Sequence, residues 1–120
     1  MVDVGAKKTT ERTAIAQCRV KFPPPILQDL AATDSGFHGK KGPIIDTAII
    51  AGVMAAKKTS DLIPLCHPLP ITHCGVTIEQ AEDDVNALLV QCSVSTFGKT
   101  GVEMEALVGA SNGALCIYDM

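Results

Sequence analysis

Aromatic residues are nearly missing from this chain, which has three Phe, one Tyr and no Trp. Its core must therefore be built from Ile, Val, Leu and Ala. Charge is scarce too: 19% of residues are charged, against an average of about 25%. The formal net charge is -3 and the lysines form local clusters rather than a stripe. Together these features argue against a nucleic-acid partner. No apolar run approaches the roughly 20 residues that span a bilayer, and Met1–Lys8 lacks a hydrophobic targeting core. The sequence therefore predicts no membrane association and a cytoplasmic location. None of the five cysteines, Cys18, Cys66, Cys74, Cys92 and Cys116, forms a Cys-x-x-Cys pair. An odd number of scattered thiols suits burial in a reducing compartment better than a disulfide framework. The three histidines, His38, His67 and His73, lack metal-ligand spacing, so no metal site is expected.

What is present is apolar: 47% of 120 residues. That length fits one domain, residues 1–120. A small domain with so few charges is expected to bury part of its surface against copies of itself.

Alternation over Thr13–Phe22 predicts a half-buried strand, with Ala14, Ala16, Cys18, Val20 and Phe22 on its apolar face. Three prolines stop it, and a short helix is expected over Pro25–Ala32. Asp34–Pro43 is a turn-rich loop carrying Lys40 and Lys41. A helix follows over Asp46–Ser60, apolar almost all round and therefore buried on more than one side. Gly52, set among alanines, suits close helix packing or a subunit contact. Ile71–Glu79 and Ala87–Thr96 read as a hairpin turning at Glu82-Asp83-Asp84, with Leu88, Val90, Cys92 and Val94 on one face. A helix over Val102–Met120 closes the chain, with Thr100 or Gly101 as its expected cap. The order strand, helix, strand, strand, helix gives five of the six elements of a split βαβ, ferredoxin-like α+β fold. The final strand is expected to be missing, leaving the edge of the first strand exposed.

Four groups could carry chemistry. The loop Leu62-Ile63-Pro64-Leu65-Cys66-His67-Pro68-Leu69-Pro70 holds His67 before a proline, in an extended or turn backbone. That could present an imidazole to a ligand or simply end a helix. Lys40-Lys41 and Lys57-Lys58 could neutralise phosphate or be solvated charge. The run Gly98-Lys99-Thr100-Gly101 lacks the spacing of a nucleotide phosphate loop. Glu103 and Glu105 behind it suit the start of a helix dipole without any further role. Asp119 sits at a helix C-terminus, where a carboxylate opposes the dipole. Either a catalytic task or a salt-bridge partner would account for it.

Several stretches occur together and in order: Met1-Val2-Asp3-Val4, Lys41-Gly42, Ile50-Ala51-Gly52, Ala55-Ala56-Lys57, the proline loop, Gly98-Lys99-Thr100-Gly101-Val102-Glu103-Met104-Glu105-Ala106-Leu107 and Ile117-Tyr118-Asp119-Met120. Over its whole length the chain closely resembles the MoaC family, cyclic pyranopterin monophosphate synthases of molybdenum cofactor biosynthesis. The resemblance implies a ferredoxin-like lyase that converts 3′,8-cyclised dihydro-GTP to cyclic pyranopterin monophosphate and releases diphosphate. It implies functional coupling to a radical SAM GTP cyclase, and a homo-hexamer, a trimer of dimers, with sites between subunits. Lys41, His67 and Asp119 match catalytic positions; Leu65, Cys66, His67, Glu103, Met104 and Glu105 match substrate-binding ones. Magnesium has a conceivable part in diphosphate departure, with no dedicated site for it.

The chain also departs from the family pattern. The family continues past Tyr-Asp-Met with catalytic lysines, so the resemblance implies that residues 1–120 lack a C-terminal catalytic segment and have little activity. Family members also often carry a short segment before Met-Val-Asp-Val, so the resemblance implies that Met1 is an internal methionine rather than a natural start. Ile49 replaces a frequent arginine and Pro43 a frequent acidic residue, which would remove a phosphate contact. The competing reading is a non-catalytic ferredoxin-like oligomerisation or phosphate-ligand-binding module, in which His67, Lys41 and Asp119 stay apart even in the assembled oligomer.

Overall fold

A computed structural model describes all residues, Met1–Met120. Strand β1 (Thr10–Lys21) is followed by the short helix α1 (Ile26–Ala31), the small strands β2 (His38–Gly39) and β3 (Gly42–Pro43), and helix α2 (Ile44–Lys57). Helix α3 (Thr59–Leu62), strands β4 (Ile71–Ala81) and β5 (Asp84–Gly98) and helix α4 (Glu103–Asp119) complete the chain. The main sheet is antiparallel with order β1-β5-β4. Strand β5 thus lies between β1 and β4, the two strands that α2 connects. That arrangement is the split βαβ of the expected ferredoxin-like α+β fold.

The period-two pattern decides which face is buried. Leu88, Val90, Cys92 and Val94 of β5 are buried, together with Ala16 of β1 and Val76 of β4. They meet α4, packed on β1 and β5, and α2, packed on β4. The opposite face is polar, spanned by Thr13–Ser95 and Gln17–Gln91 side-chain hydrogen bonds of 2.8 and 2.7 Å. The outer edge of β1 has no strand paired to it within the chain.

The two long helices touch at backbone distance. A Cβ at Gly52 would stand 2.9 Å from the Gly109 carbonyl, and one at Gly109 would stand 2.5 Å from Cys92 Sγ. Ala48, Ala56, Ala106 and Ala110 are buried in the same layer. Small residues, not propensity, explain why these helices lie so close.

Three local expectations need correction. The helix expected over 46–60 starts earlier and divides, because Lys58 (φ -110°, ψ 14°) leaves helical geometry. The Thr59 hydroxyl donates to the carbonyls of Ala55 and Ala56, at 3.3 and 2.9 Å, alongside the Lys58 N–H that caps the same end of α2. Next, the 34–43 loop contains a hairpin, β2–β3, with Lys40 and Lys41 at its tip. Gly42 has φ +119°, which a side chain would disfavour. Finally, neither Thr100 nor Gly101 caps α4. Val102 holds that position, with no side-chain hydrogen bond.

Candidate functional site

The proline loop and the start of α4 form one concavity. Leu65, Cys66, His67, Glu103, Met104 and Glu105 all line a cavity of about 440 Å³. Two different local rules bring them together. Prolines 64, 68 and 70 keep the loop out of helix, with a turn closed by Cys66 N–H donating to the Ile63 carbonyl at 3.1 Å, and the first turn of α4 projects residues 103–105 toward it. Val2, Val4, Lys7, Ile63, Leu69, Thr100 and Gly101 complete the wall.

The N-terminal segment is fastened over this cavity. His67 Nε2–H donates to the Val2 carbonyl at 2.8 Å. Lys99 Nζ donates to the Gly5 carbonyl, also at 2.8 Å. Lys99 therefore acts here as a strut.

Glu105 is the unusual group. It is only 3% exposed, and its Oε2 has no hydrogen-bond partner. Cys66 Sγ donates weakly to its Oε1 at 3.8 Å. Burial pushes the Glu105 carboxyl above the usual carboxylate range, and the charge of Glu103 adds to that. Burial and the neighbouring Glu105 likewise raise the Cys66 thiol, so it is held as S–H rather than thiolate. Cys66 is thus suited to donating a hydrogen bond, not to nucleophilic attack.

Lys41 and Asp119 meet elsewhere. Lys41 Nζ and Asp119 Oδ1 form an exposed ion pair of 2.8 Å. A Cβ at Gly39 would lie 3.0 Å from the Met120 carbonyl, so the hairpin rests directly on the end of α4. The cation offsets a carboxylate placed against the helix dipole. Glu105 and Asp119 belong to one unbroken helix, about 21 Å apart at 1.5 Å rise per residue. Within one chain, then, His67 is not brought to Lys41 and Asp119.

The other basic pair, Lys57-Lys58, closes α2; Lys57 reaches a groove with His73 and Cys74. Pro43 is the N-cap of that helix and Ile49 lies near its middle. No group of three or more His, Cys, Asp or Glu side chains converges as a metal cage. No helix is long and apolar enough to cross a membrane.

Comparison with known proteins agrees with the resemblance carried by these motifs. The MoaC family model matches residues 1–120. A cyclic pyranopterin monophosphate synthase of Xanthomonas oryzae pv. oryzae is 50% identical over 120 residues, covering the whole of this chain and 70% of that protein. A synthase of the same name from Roseiflexus sp. is 52% identical over 122 residues, covering 73% of that protein. A molybdenum cofactor biosynthesis bifunctional protein of Synechocystis sp. is 52% identical over 122 residues, which make up 35% of its length. With the split βαβ fold and a family match from its first residue to its last, the chain belongs to the MoaC family.

Proposed function

We propose that the protein is a cyclic pyranopterin monophosphate synthase, a lyase acting on 3′,8-cyclised dihydro-GTP with release of diphosphate. The observation that carries this reading is the single cavity lined by the proline loop and the first turn of α4. Its mixed lining suits a planar heterocycle: apolar contact from Leu65 and Met104, and hydrogen-bonding groups from His67, Glu103 and Glu105. In this reading those residues hold the ring, while Lys41 supplies positive charge to phosphate and Asp119 moves a proton during ring rebuilding. A magnesium ion would be held mainly by the substrate's phosphates, because no protein cage converges.

The two clusters then serve one reaction across a subunit contact, as in a homo-hexamer of three dimers. An exposed apolar face supports association: Ile50 and Met54 of α2, with Leu107 and Leu115 of α4, lie open to solvent in one chain. The substrate's origin places the protein functionally after a radical SAM GTP cyclase, in the cytoplasm.

Incubation with the cyclised GTP intermediate tests the proposal, with diphosphate and cyclic pyranopterin monophosphate both measured. The assay is run on residues 1–120 and on the full product of the gene. Product from neither would sink the synthase reading and favour a non-catalytic ligand-binding module. Product only from the full gene version would place an essential group outside 1–120.

A further inference from the structure

Glu105 belongs to two cavities. It lines the His67 pocket, and it also lines a second cavity of about 230 Å³ that includes Lys57, Thr59, Ser60 and Pro68. Leu69 lines both cavities as well, so Glu105 and Leu69 form the partition between them, and Glu105 is its titratable member. Its unpartnered Oε2 is costly to bury unless a donor arrives from one side. Thr59 is not that donor, because its hydroxyl is committed to the carbonyls of Ala55 and Ala56. The second cavity has room for several waters, each needing about 30 Å³ of liquid volume. It also offers the Ser60 hydroxyl and the Lys57 ammonium to order them.

We propose that Glu105 is a proton relay between the two cavities, delivering a proton from water beside Lys57 and Ser60 to a basic atom of the ligand held beside His67. In the delivering step the Glu105 O–H bond breaks and a new bond forms between that proton and a lone-pair or enamine-type atom of the ligand. The carboxylate left behind takes a proton from a water of the second cavity while that water is reprotonated by solvent, so the net input is one solvent proton and no hydroxide remains. No electrons are transferred and no further reactant is needed. The ligand class is a heterocycle that must be protonated while it reacts, so the inference rests on the synthase reading of the pocket.

The groups facing Glu105 fit this task. Glu103 on its own helix and burial both favour the protonated acid, while the Cys66 thiol donates to Oε1 and tempers that preference. His67 and Lys7 stand on the ligand side, and Lys57 on the water side. A static hydrogen bond to the ligand would need only the first cavity. A relay needs both.

The test fills the second cavity while leaving the first intact, using Ser60→Leu and the smaller Ser60→Val in the full assembled protein. Infrared difference spectra identify the Glu105 carboxyl band by its loss in Glu105→Gln at neutral pH. Its exchange after transfer to deuterium oxide is then followed. We expect exchange to slow at least tenfold in whichever Ser60 variant keeps the native circular dichroism spectrum. In turnover, kcat falls at least tenfold with KM within twofold. Unchanged exchange in a folded Ser60 variant overturns the relay, as does the lack of a protonated band lost in Glu105→Gln. Slowed exchange in a protein that never forms product keeps the relay but refutes the synthase reading.

Discussion

Lys41 Nζ lies 2.8 Å from Asp119 Oδ1, joining the tip of a hairpin to the last residue of α4. Both side chains are more than half exposed. An exposed ion pair stabilises a fold by only about 0–1 kcal/mol. Asp119→Asn and Lys41→Met are therefore expected to leave the urea midpoint almost unchanged. Under the synthase reading, the same changes lower product formation by roughly two orders of magnitude or more, the lower end of the range for losing general acid–base help in the case of Asp119. A large loss of stability with no loss of activity would reverse the assignment.

The buried carboxyl of Glu105 predicts a pH dependence with a definite sign. Its pKa is raised above the ordinary value of 4.5 by burial. Below 4.5 both native and unfolded chains carry the proton, so the group contributes no pH dependence. As pH rises through the raised pKa, the native state must hold a buried charge and stability falls. Glu105→Gln is expected to match the parent in acid and to become the more stable of the two as pH rises, by about 1–3 kcal/mol at most. Urea melts across that range measure the crossover. Parallel curves would show that burial does not perturb the group.

The helix seam makes a prediction about paired substitutions. Gly109→Ala gains helix propensity of about 1 kcal/mol, but its Cβ would lie 2.5 Å from Cys92 Sγ. Overpacking of this kind costs about 1–3 kcal/mol. Cys92→Ala should relieve part of that cost in the double variant. Gly52→Ala should gain nothing from Cys92→Ala, because its nearest obstacle is the Gly109 carbonyl at 2.9 Å. Equal coupling in the two cycles would contradict this geometry.

Cys92 is fully buried, and burial with Cys74 beside it pushes its thiol up to about 12. Iodoacetamide at pH 8 is expected to leave Cys92 unmodified in the native protein during the time that fully labels the unfolded chain. Mass mapping of the labelled peptides reads this directly. Rapid native labelling would mean that the helix layer opens far more often than its packing implies.

His67 and Lys99 each bind a carbonyl of the N-terminal segment. His67→Ala and Lys99→Ala should therefore speed hydrogen exchange at residues 2–7 by tenfold or more, with little change in Tm. Mass spectrometry of that peptide provides the measurement. An equal effect on β5 amides would point to global destabilisation instead.

Much of the fold was legible because its signals are local. Alternation along β5 and the apolar run of α2 needed no partner to interpret them. Strand ends were less visible: β5 runs from Asp84 to Gly98 rather than 87 to 96, since pairing with β1 continues to Gly98 and pairing with β4 resumes at Asp84. The division at Lys58 depends on Thr59 turning its hydroxyl back to α2, which hydropathy does not encode. At the site, the proline loop and Glu103–Glu105 were conspicuous as motifs. Lys7, Val2 and Ser60 were not, because each reaches its cavity only through tertiary folding. The pairing of Lys41 with Asp119 had one trace in sequence: a carboxylate on the wrong end of a helix requires a cation.

The contact between α2 and α4 also bears on motion. Where Gly52 and Gly109 meet, there are no side chains whose rotamers could exchange to let the helices slide. The pair is expected to behave as one plate, carrying Glu105 near one end and Asp119 at the other. Adjustment to a ligand then falls to the hinged parts around that plate: the proline loop, the fastened N-terminal segment and the Lys40–Lys41 hairpin.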